Sequence, residues 1–180
     1  MVTEPSREPP PSVSTEHHSV NGVAPQPVGI VVFEVDGVGY GAMSGHVPEI
    51  IPAVPPVPRP GGPEIVWGAM NLRGQVVPVV DLRARLRLPR KEIDLTDHMI
   101  AASAGAQLVV LPTDRVIEVV DVEPAHIEDA ITVAAVRPFA GVAKLSDGPL
   151  VIYDLDSFLS PEETDQLQDA LAGRSHTGHS

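Results

Sequence analysis

Cysteine is absent from the 180 residues. That removes disulfides, thiolate metal sites and cysteine nucleophiles together, and it suits a reducing compartment. Aromatic residues are scarce at 3 %, so a core has to be built from aliphatic side chains. Positive charge is in deficit: 12 Lys and Arg face 24 Asp and Glu, a formal net charge of -12. Such a chain does not grip a phosphate backbone over a broad face, and an anionic membrane surface repels it, so no nucleic-acid partner and no direct membrane insertion are expected. Long apolar runs are missing as well; nothing approaches the ~18 residues that span a bilayer. The opening segment MVTEPSREPPPS is acidic and Pro-rich, without the apolar stretch of a secretory signal. The cytoplasm is the expected compartment.

Proline, by contrast, is plentiful and local. Six of the 20 prolines lie in residues 1–28 and seven in residues 48–63. Residues 1–28 mix Pro, Ser, Glu and His without apolar periodicity, which predicts a disordered tail. The final residues 173–180 are expected to be a second tail. Residues 52–63, PAVPPVPRPGGP, predict an extended loop with little ladder bonding.

Between these breaks the apolar pattern alternates. Ile30 to Val35 reads as a strand that turns at Asp36-Gly37 into a second strand, Val38 to Ala42. Ser44 to Ile51 has room for a short helical turn only, because of Pro48. Ile65 to Leu72 and Gln75 to Asp81 are strands around the turn Arg73-Gly74, where Gly74 suits a positive φ. Asp81 is the expected N-cap of a short helix reaching Leu86. His98 to Ser103 and Gln107 to Leu111 form a further hairpin, Arg115 to Val120 another strand, and Val142 to Asp154 a last hairpin. Short strands at this spacing predict an all-β barrel or sandwich. Ser160-Pro161-Glu162-Glu163 is a capping box that opens a helix over 161–172, with Leu167 and Leu171 on one face. Two halves, about 30–90 and 97–160, are each the size of a small barrel. Two such barrels packed together leave a groove where a partner element can lie.

Chemistry-bearing motifs are missing. There is no G-x-x-x-x-G-K-[ST] loop, no G-x-G-x-x-G opening a helix and no H-E-x-x-H. The glycines at 37, 39 and 41 sit between strands and read as a tight hairpin. His17-His18 has no third ligand nearby, and the remaining histidines are scattered, so no metal site, no catalytic residue and no cofactor is expected. Ser44 and His46 lack a third partner for nucleophilic catalysis. Asp154 and Asp156 straddle a strand end, where an N-cap is the better reading. The feature that stands out is a polar island in apolar strands, GAMNLRGQVVPVVDLR over 68–83. Asn71 and Arg73 flank a turn, and Asp81 and Arg83 close the next strand. On local grounds Asn71 and Asp81 bond nearby backbone and Arg73 pairs with Asp81 or Glu49. Alternatively, an exposed Arg on such a turn is a protein-binding anchor.

Over about residues 29–159 the chain resembles the CheW family of chemosensory coupling proteins. The resemblance rests on G-x-x-N-L-R-G followed by V-x-P-V-V-D-L-R over Gly68 to Arg83. Phe33 with Tyr40-Gly41, Val47-x-Glu49-Ile50, Asp114-x-Val116 and Gly141-Val142-Ala143 support it. It implies two packed SH3-like five-stranded β-barrels and a non-enzymatic adaptor. The partners it implies are the regulatory domain of a CheA-type histidine kinase and the cytoplasmic tip of methyl-accepting chemoreceptors, in membrane-associated arrays. It places the receptor-binding groove at Val47, Glu49, Gly68, Asn71 and Arg73, with Gly74, Asp81 and Arg83 as turn and motif residues. The chain departs from the family pattern in its Pro-rich loop, in Val109 where a glycine is usual, and in Pro112, which is expected to interrupt its strand. Two other readings stand beside the coupler: a small-molecule-binding or enzymatic β-barrel using the groove, and an inhibitory competitor of a standard coupler.

Overall fold

The computed structural model of the protein describes residues 24–59, 62–129 and 139–173. Eleven strands are found among them: β1 Val28–Val35, β2 Val38–Met43, β3 Glu49–Pro52, β4 Val66–Leu72, β5 Gln75–Val80, β6 His98–Ala104, β7 Gln107–Thr113, β8 Arg115–Val122, β9 Ile127–Asp129, β10 Phe139–Leu145 and β11 Gly148–Tyr153. They form two sheets, a six-stranded one in the order β8-β1-β2-β11-β10-β9 and a five-stranded one in the order β3-β6-β7-β5-β4. The class is all-β as expected, but one sheet has six strands, because short β9 adds to β10 at Ile127–Asp129.

The division at residues 90–97 needs correction. Residues 49–113 build the five-stranded sheet, while β1 and β2 join β8 to β11 in the other. The first and last hairpins are tied by a parallel pairing, Tyr40 to Ala42 of β2 against Val151 to Tyr153 of β11. Hairpins are local and announce themselves in sequence. This pairing spans more than a hundred residues and has no local signal.

The hairpin turns follow the expected chemistry. Asp36 and Gly37 have φ of 57° and 75°, and Arg73 and Gly74 have 52° and 86°. Two consecutive positive φ values match the right-handed twist of the flanking strands. Three hydrophobic clusters result, and the scarce aromatic residues gather in the largest of them, where Tyr153, Phe33 and Phe158 are the bulkiest fully buried side chains. One lies inside the six-stranded sheet around Ile30, Val32 and Ile152. One lies inside the five-stranded sheet around Val77, Val79, Met99 and Val110. The largest joins the sheets through Val31, Phe33, Val80, Ile100, Leu111, Tyr153 and Phe158.

Three local expectations change. Ser44–His46 is a 3-10 turn, but Glu49–Pro52 beyond Pro48 is a strand at the edge of the five-stranded sheet, antiparallel to β6. Pro112 does not interrupt β7; it sits inside the strand opposite Met99. Val28 opens β1 opposite Val122 rather than ending a tail. The tail proposed for residues 1–28 otherwise falls largely on residues 1–23, outside the described residues, as does nearly all of 173–180.

Two short helices complete the described chain. α1, Leu82–Arg85, is capped by Asp81, whose Oδ1 accepts from the Ala84 amide at 3.2 Å. α2, Pro161–Leu171, has the full capping box: Ser160 Oγ accepts from the Glu163 amide at 3.2 Å, and the Ser160 amide donates to Glu163 Oε2 at 2.8 Å. Leu167 is buried in the core that joins the sheets, with Leu171 packed against it. Neither helix is long and apolar enough to cross a membrane.

One polar cluster sits where the chain passes between the sheets. Asp114 occupies the single position between β7 and β8. Its carboxylate accepts from Arg83 Nη2 at 2.9 Å, from Lys91 Nζ at 3.0 Å and from the Asp36 amide at 2.6 Å. Arg83 Nη1 also reaches Asp36 at 3.2 Å. Burial by itself raises the Asp114 pKa, but the Asp36 amide, Lys91 and Arg83 outweigh it and hold the carboxyl below its ordinary value. A depressed carboxylate stabilises the fold at pH values above its unfolded pKa of about 3.9; that contribution is lost as pH falls through the lower native value. Asp114→Asn is therefore expected to cost about 2–3 kcal/mol at neutral pH. It should also give a shallower loss of stability below about pH 4 than the parent. Urea titration at pH 7 and pH 3 reads both.

Candidate functional site

Glu49 begins β3 and Arg73 sits on the β4–β5 turn. These strands are the two opposite edges of the five-stranded sheet. The sheet curls until the edges face each other, and the two side chains meet. Arg73 donates Nε to Glu49 Oε2 at 2.9 Å and Nη2 to Oε1 at 2.8 Å. The hydrogen bond from Arg73 lowers the Glu49 pKa, and the same bond raises that of Arg73. Of the two partners considered for Arg73, Asp81 is therefore not the one. The Arg73 side chain remains 79 % exposed, and no hydrogen bond is made by its Nη1 among the described residues.

The remaining sequence-predicted residues divide. Asn71 Oδ1 accepts from the Gly74 amide at 2.8 Å, so Asn71 and Gly74 build the turn that carries Arg73. Val47 lies partly buried against the core that joins the sheets. Gly68 is in mid-strand, away from the ion pair. A Cβ there would lie 2.3 Å from the Val57 carbonyl oxygen. Val57 belongs to the Pro-rich connector, and its backbone exchanges two hydrogen bonds with Ala69, of 2.8 and 2.9 Å. The loop, expected to carry little ladder bonding, makes this isolated bridge, and Gly68 is what permits it. Asp81 and Arg83 serve the helix cap and the inter-sheet cluster described above.

Some residues of the site escaped sequence reading. Pro48, Glu49, Leu72, Arg73, Gln75, Ala101 and Leu108 line a concavity of about 400 Å³. Leu72, Ala101 and Leu108 belong to the core inside the five-stranded sheet. The concavity is thus the open end of that barrel, with the ion pair across its mouth, and not a groove between barrels. Val76 and Ile50, exposed at 51 % and 39 %, lie on the opposite face of the sheet, because side chains alternate along β3 and β5. Ala101 and Leu108 carry no local signal; the pairing of β3, β6 and β7 brings them to the concavity. His46 Nε2 faces Asp156 Oδ2 at 3.3 Å, joining the 3-10 turn to the loop after β11. Asp154 caps that loop by accepting from the Asp156 amide at 3.1 Å. No cluster of three metal-ligating side chains occurs among the described residues.

Gly68→Ala drives a β-carbon into backbone rather than into a flexible side chain. It is expected to cost ~2 kcal/mol, a fall of about 4–8 °C in melting temperature. Hydrogen exchange should quicken at the Val57 and Ala69 amides. An unchanged melting curve would mean the connector does not hold β4.

Comparison with known proteins agrees with this architecture. Residues 29–163 match the CheW-like domain family. The chemotaxis protein CheW of Rhizobium meliloti (strain 1021) is 33 % identical over 120 residues, 65 % of this chain and 77 % of that protein. The chemotaxis protein CheW of Bacillus subtilis (strain 168) is 36 % identical over 102 residues, 56 % of this chain and 65 % of that protein. The crystal structure of the scaffolding protein TtCheW from Thermoanaerobacter tengcongensis superposes with a TM-score of 0.63 at 30 % identity, covering 72 % of this chain and 88 % of that one. With a matching domain over most of its length, relatives of one kind and a solved structure of similar fold, the chain belongs to the CheW-like family of chemotaxis scaffold proteins.

Proposed function

We propose that the protein couples methyl-accepting chemoreceptors to a CheA-type histidine kinase, as a cytoplasmic adaptor recruited to membrane-associated receptor arrays. The cytoplasmic tip of the receptor docks across Arg73, with Val47 giving apolar contact toward the seam between the sheets. The regulatory domain of the kinase binds elsewhere on the barrels. The observation that carries the docking reading is Arg73 itself. Its turn is fixed by Asn71 and Gly74, its guanidinium is held bidentately by Glu49, and most of the side chain still faces solvent. An arginine already ordered before binding loses little side-chain freedom on docking, and arginine is enriched among binding hot spots. Glu49 in this reading positions Arg73, while Gly68, Asn71 and Gly74 support the site from below.

Arg73→Ala separates this from a purely structural role. An exposed ion pair contributes little to stability, so the melting temperature should stay within about 2 °C. Affinity for a receptor signalling fragment, read by calorimetry, should fall roughly 30-fold. Kinase affinity should be retained, and receptor control of kinase autophosphorylation should be lost. A variant that melts early and loses both partners alike would make Arg73 a structural residue and remove the docking site from this turn.

A further inference from the structure

We propose that the Pro-rich connector is itself a ligand: Val54-Pro55 and Val57-Pro58 enter two aromatic-walled slots of a partner protein, and Arg59 meets a carboxylate beside those slots. Prolines at 52, 55, 56 and 58 hold φ near about −65° and push the residue before each of them toward extended backbone. The chain over 53–59 therefore takes a polyproline II course, with three residues and about 9 Å to each turn. Exposure follows the same period. Ala53 is buried in the core inside the five-stranded sheet and Pro56 is half-buried, while Val54, Pro55, Val57, Pro58 and Arg59 are exposed. One ridge of the helix thus packs on the fold, and two hydrophobic–proline pairs stand out one turn apart. Val54 is 50 % exposed and Val57 68 %.

The kind of partner follows from this shape. A segment with so many prolines lacks the donors to add a strand to another sheet. It offers side-chain ridges instead, and P-x-x-P ridges are read by grooves lined with aromatic rings. The spacing P-x-x-P occurs twice, at Pro52 to Pro55 and at Pro55 to Pro58. Arg59 ends the ridge and makes no ion pair among the described residues. Its guanidinium gains most from an ionised acceptor, because a charge-assisted hydrogen bond is about twice as strong as a neutral one. The ridge is also ordered in advance. The Ala53 amide donates to the Asp97 carbonyl at 3.1 Å, and Val57 exchanges hydrogen bonds of 2.8 and 2.9 Å with Ala69. A ligand fixed in this way avoids the ordering cost that a free peptide bears on binding.

The probe is an SH3 domain whose peptide ligands carry two hydrophobic–proline pairs followed by arginine, titrated with the full chain in calorimetry. Binding is expected, with resonance shifts on the isotope-labelled domain confined to its aromatic slots and their acidic rim. Val57→Ser should weaken it about 10-fold and Arg59→Gln about 5-fold. Both side chains are exposed, so the melting temperature should hold. If Val57→Ser melts early, Val54→Ser removes the other apolar contact and should weaken binding by a similar factor. Leu95→Ser, 82 % exposed and outside the connector, should bind as the parent does. A free peptide of residues 52–59 should bind about 10-fold more weakly than the full chain. No binding by the full chain, or parental binding by both serine variants, would overturn the proposal. A free peptide that binds as tightly as the full chain would overturn it too, since the ridge would then not be ordered in advance. Self-association of the full chain that Val57→Ser abolishes would make a second copy the occupant and remove the separate partner.

Discussion

The contact between Arg83 and Asp114 fixes how the two sheets sit on each other. Between β7 and β8 the chain leaves one sheet and enters the other with Asp114 as the only connecting residue. Arg83 comes from the helix after β5, and Asp36 from the turn between β1 and β2. One guanidinium therefore ties together three segments distant in sequence, and Lys91 extends the cluster to Asp97 at 2.8 Å. Removing such charges from water costs free energy that their attraction barely offsets. Their value lies in geometry: both Asp114 oxygens have donors only when the sheets stand in one relation. Non-directional burial of Val31, Phe33, Ile100 and Leu111 supplies the bulk of the stability, while the charged cluster selects the arrangement.

The same logic of closure shapes the site. The five-stranded sheet has two free edges, β3 and β4, and both are dealt with. At one end the Pro-rich connector crosses from β3 and bonds to β4 at Ala69, over the gap left by Gly68. At the other end Glu49 reaches Arg73. A connector rich in proline cannot offer a continuous row of donors, so it covers the edge without inviting further strands. The edge strand β8 of the other sheet exposes Ile117 and Val119. A register shift opposite Val32 and Phe33, with Glu118 and Asp121 beside it, blunts that edge.

How much of this was legible follows from distance along the chain. The two-residue turns at Asp36-Gly37 and Arg73-Gly74, the Asp81 cap and the Ser160 capping box are set by neighbours within four residues, and sequence reading finds them. The interleaving of the sheets depends on β2 meeting β11, which no local pattern states. The partner of Arg73 shows the same limit. Asp81 looks close in sequence, but the six residues of β5 separate it from the turn, about 20 Å at ~3.3 Å per residue. Glu49 is 24 positions away and touches it. Pro48 hides the strand at Glu49–Pro52: proline confines a helix to its first turn but does not forbid a strand beginning one residue later.

A scaffold acts through the precision with which it presents its surfaces, and the restraints on Arg73 fit that requirement. Arg73 lies on a loop tip, the least rigid kind of position. Three restraints remove that freedom: the Asn71 side chain closes the turn, paired positive φ values fit its backbone to the strand twist, and Glu49 holds the guanidinium from the opposite edge. Glu49 is in turn fixed by β3 pairing with β6 at Ala101, whose side chain lies in the core of the same barrel. The position of an exposed cation is thereby referred, through one ion pair and one strand register, to buried aliphatic packing. That packing connects through the short β7–β8 link to the second sheet. On the proposed function, a partner docked across Arg73 and another on the far sheet would be held at a fixed separation and angle.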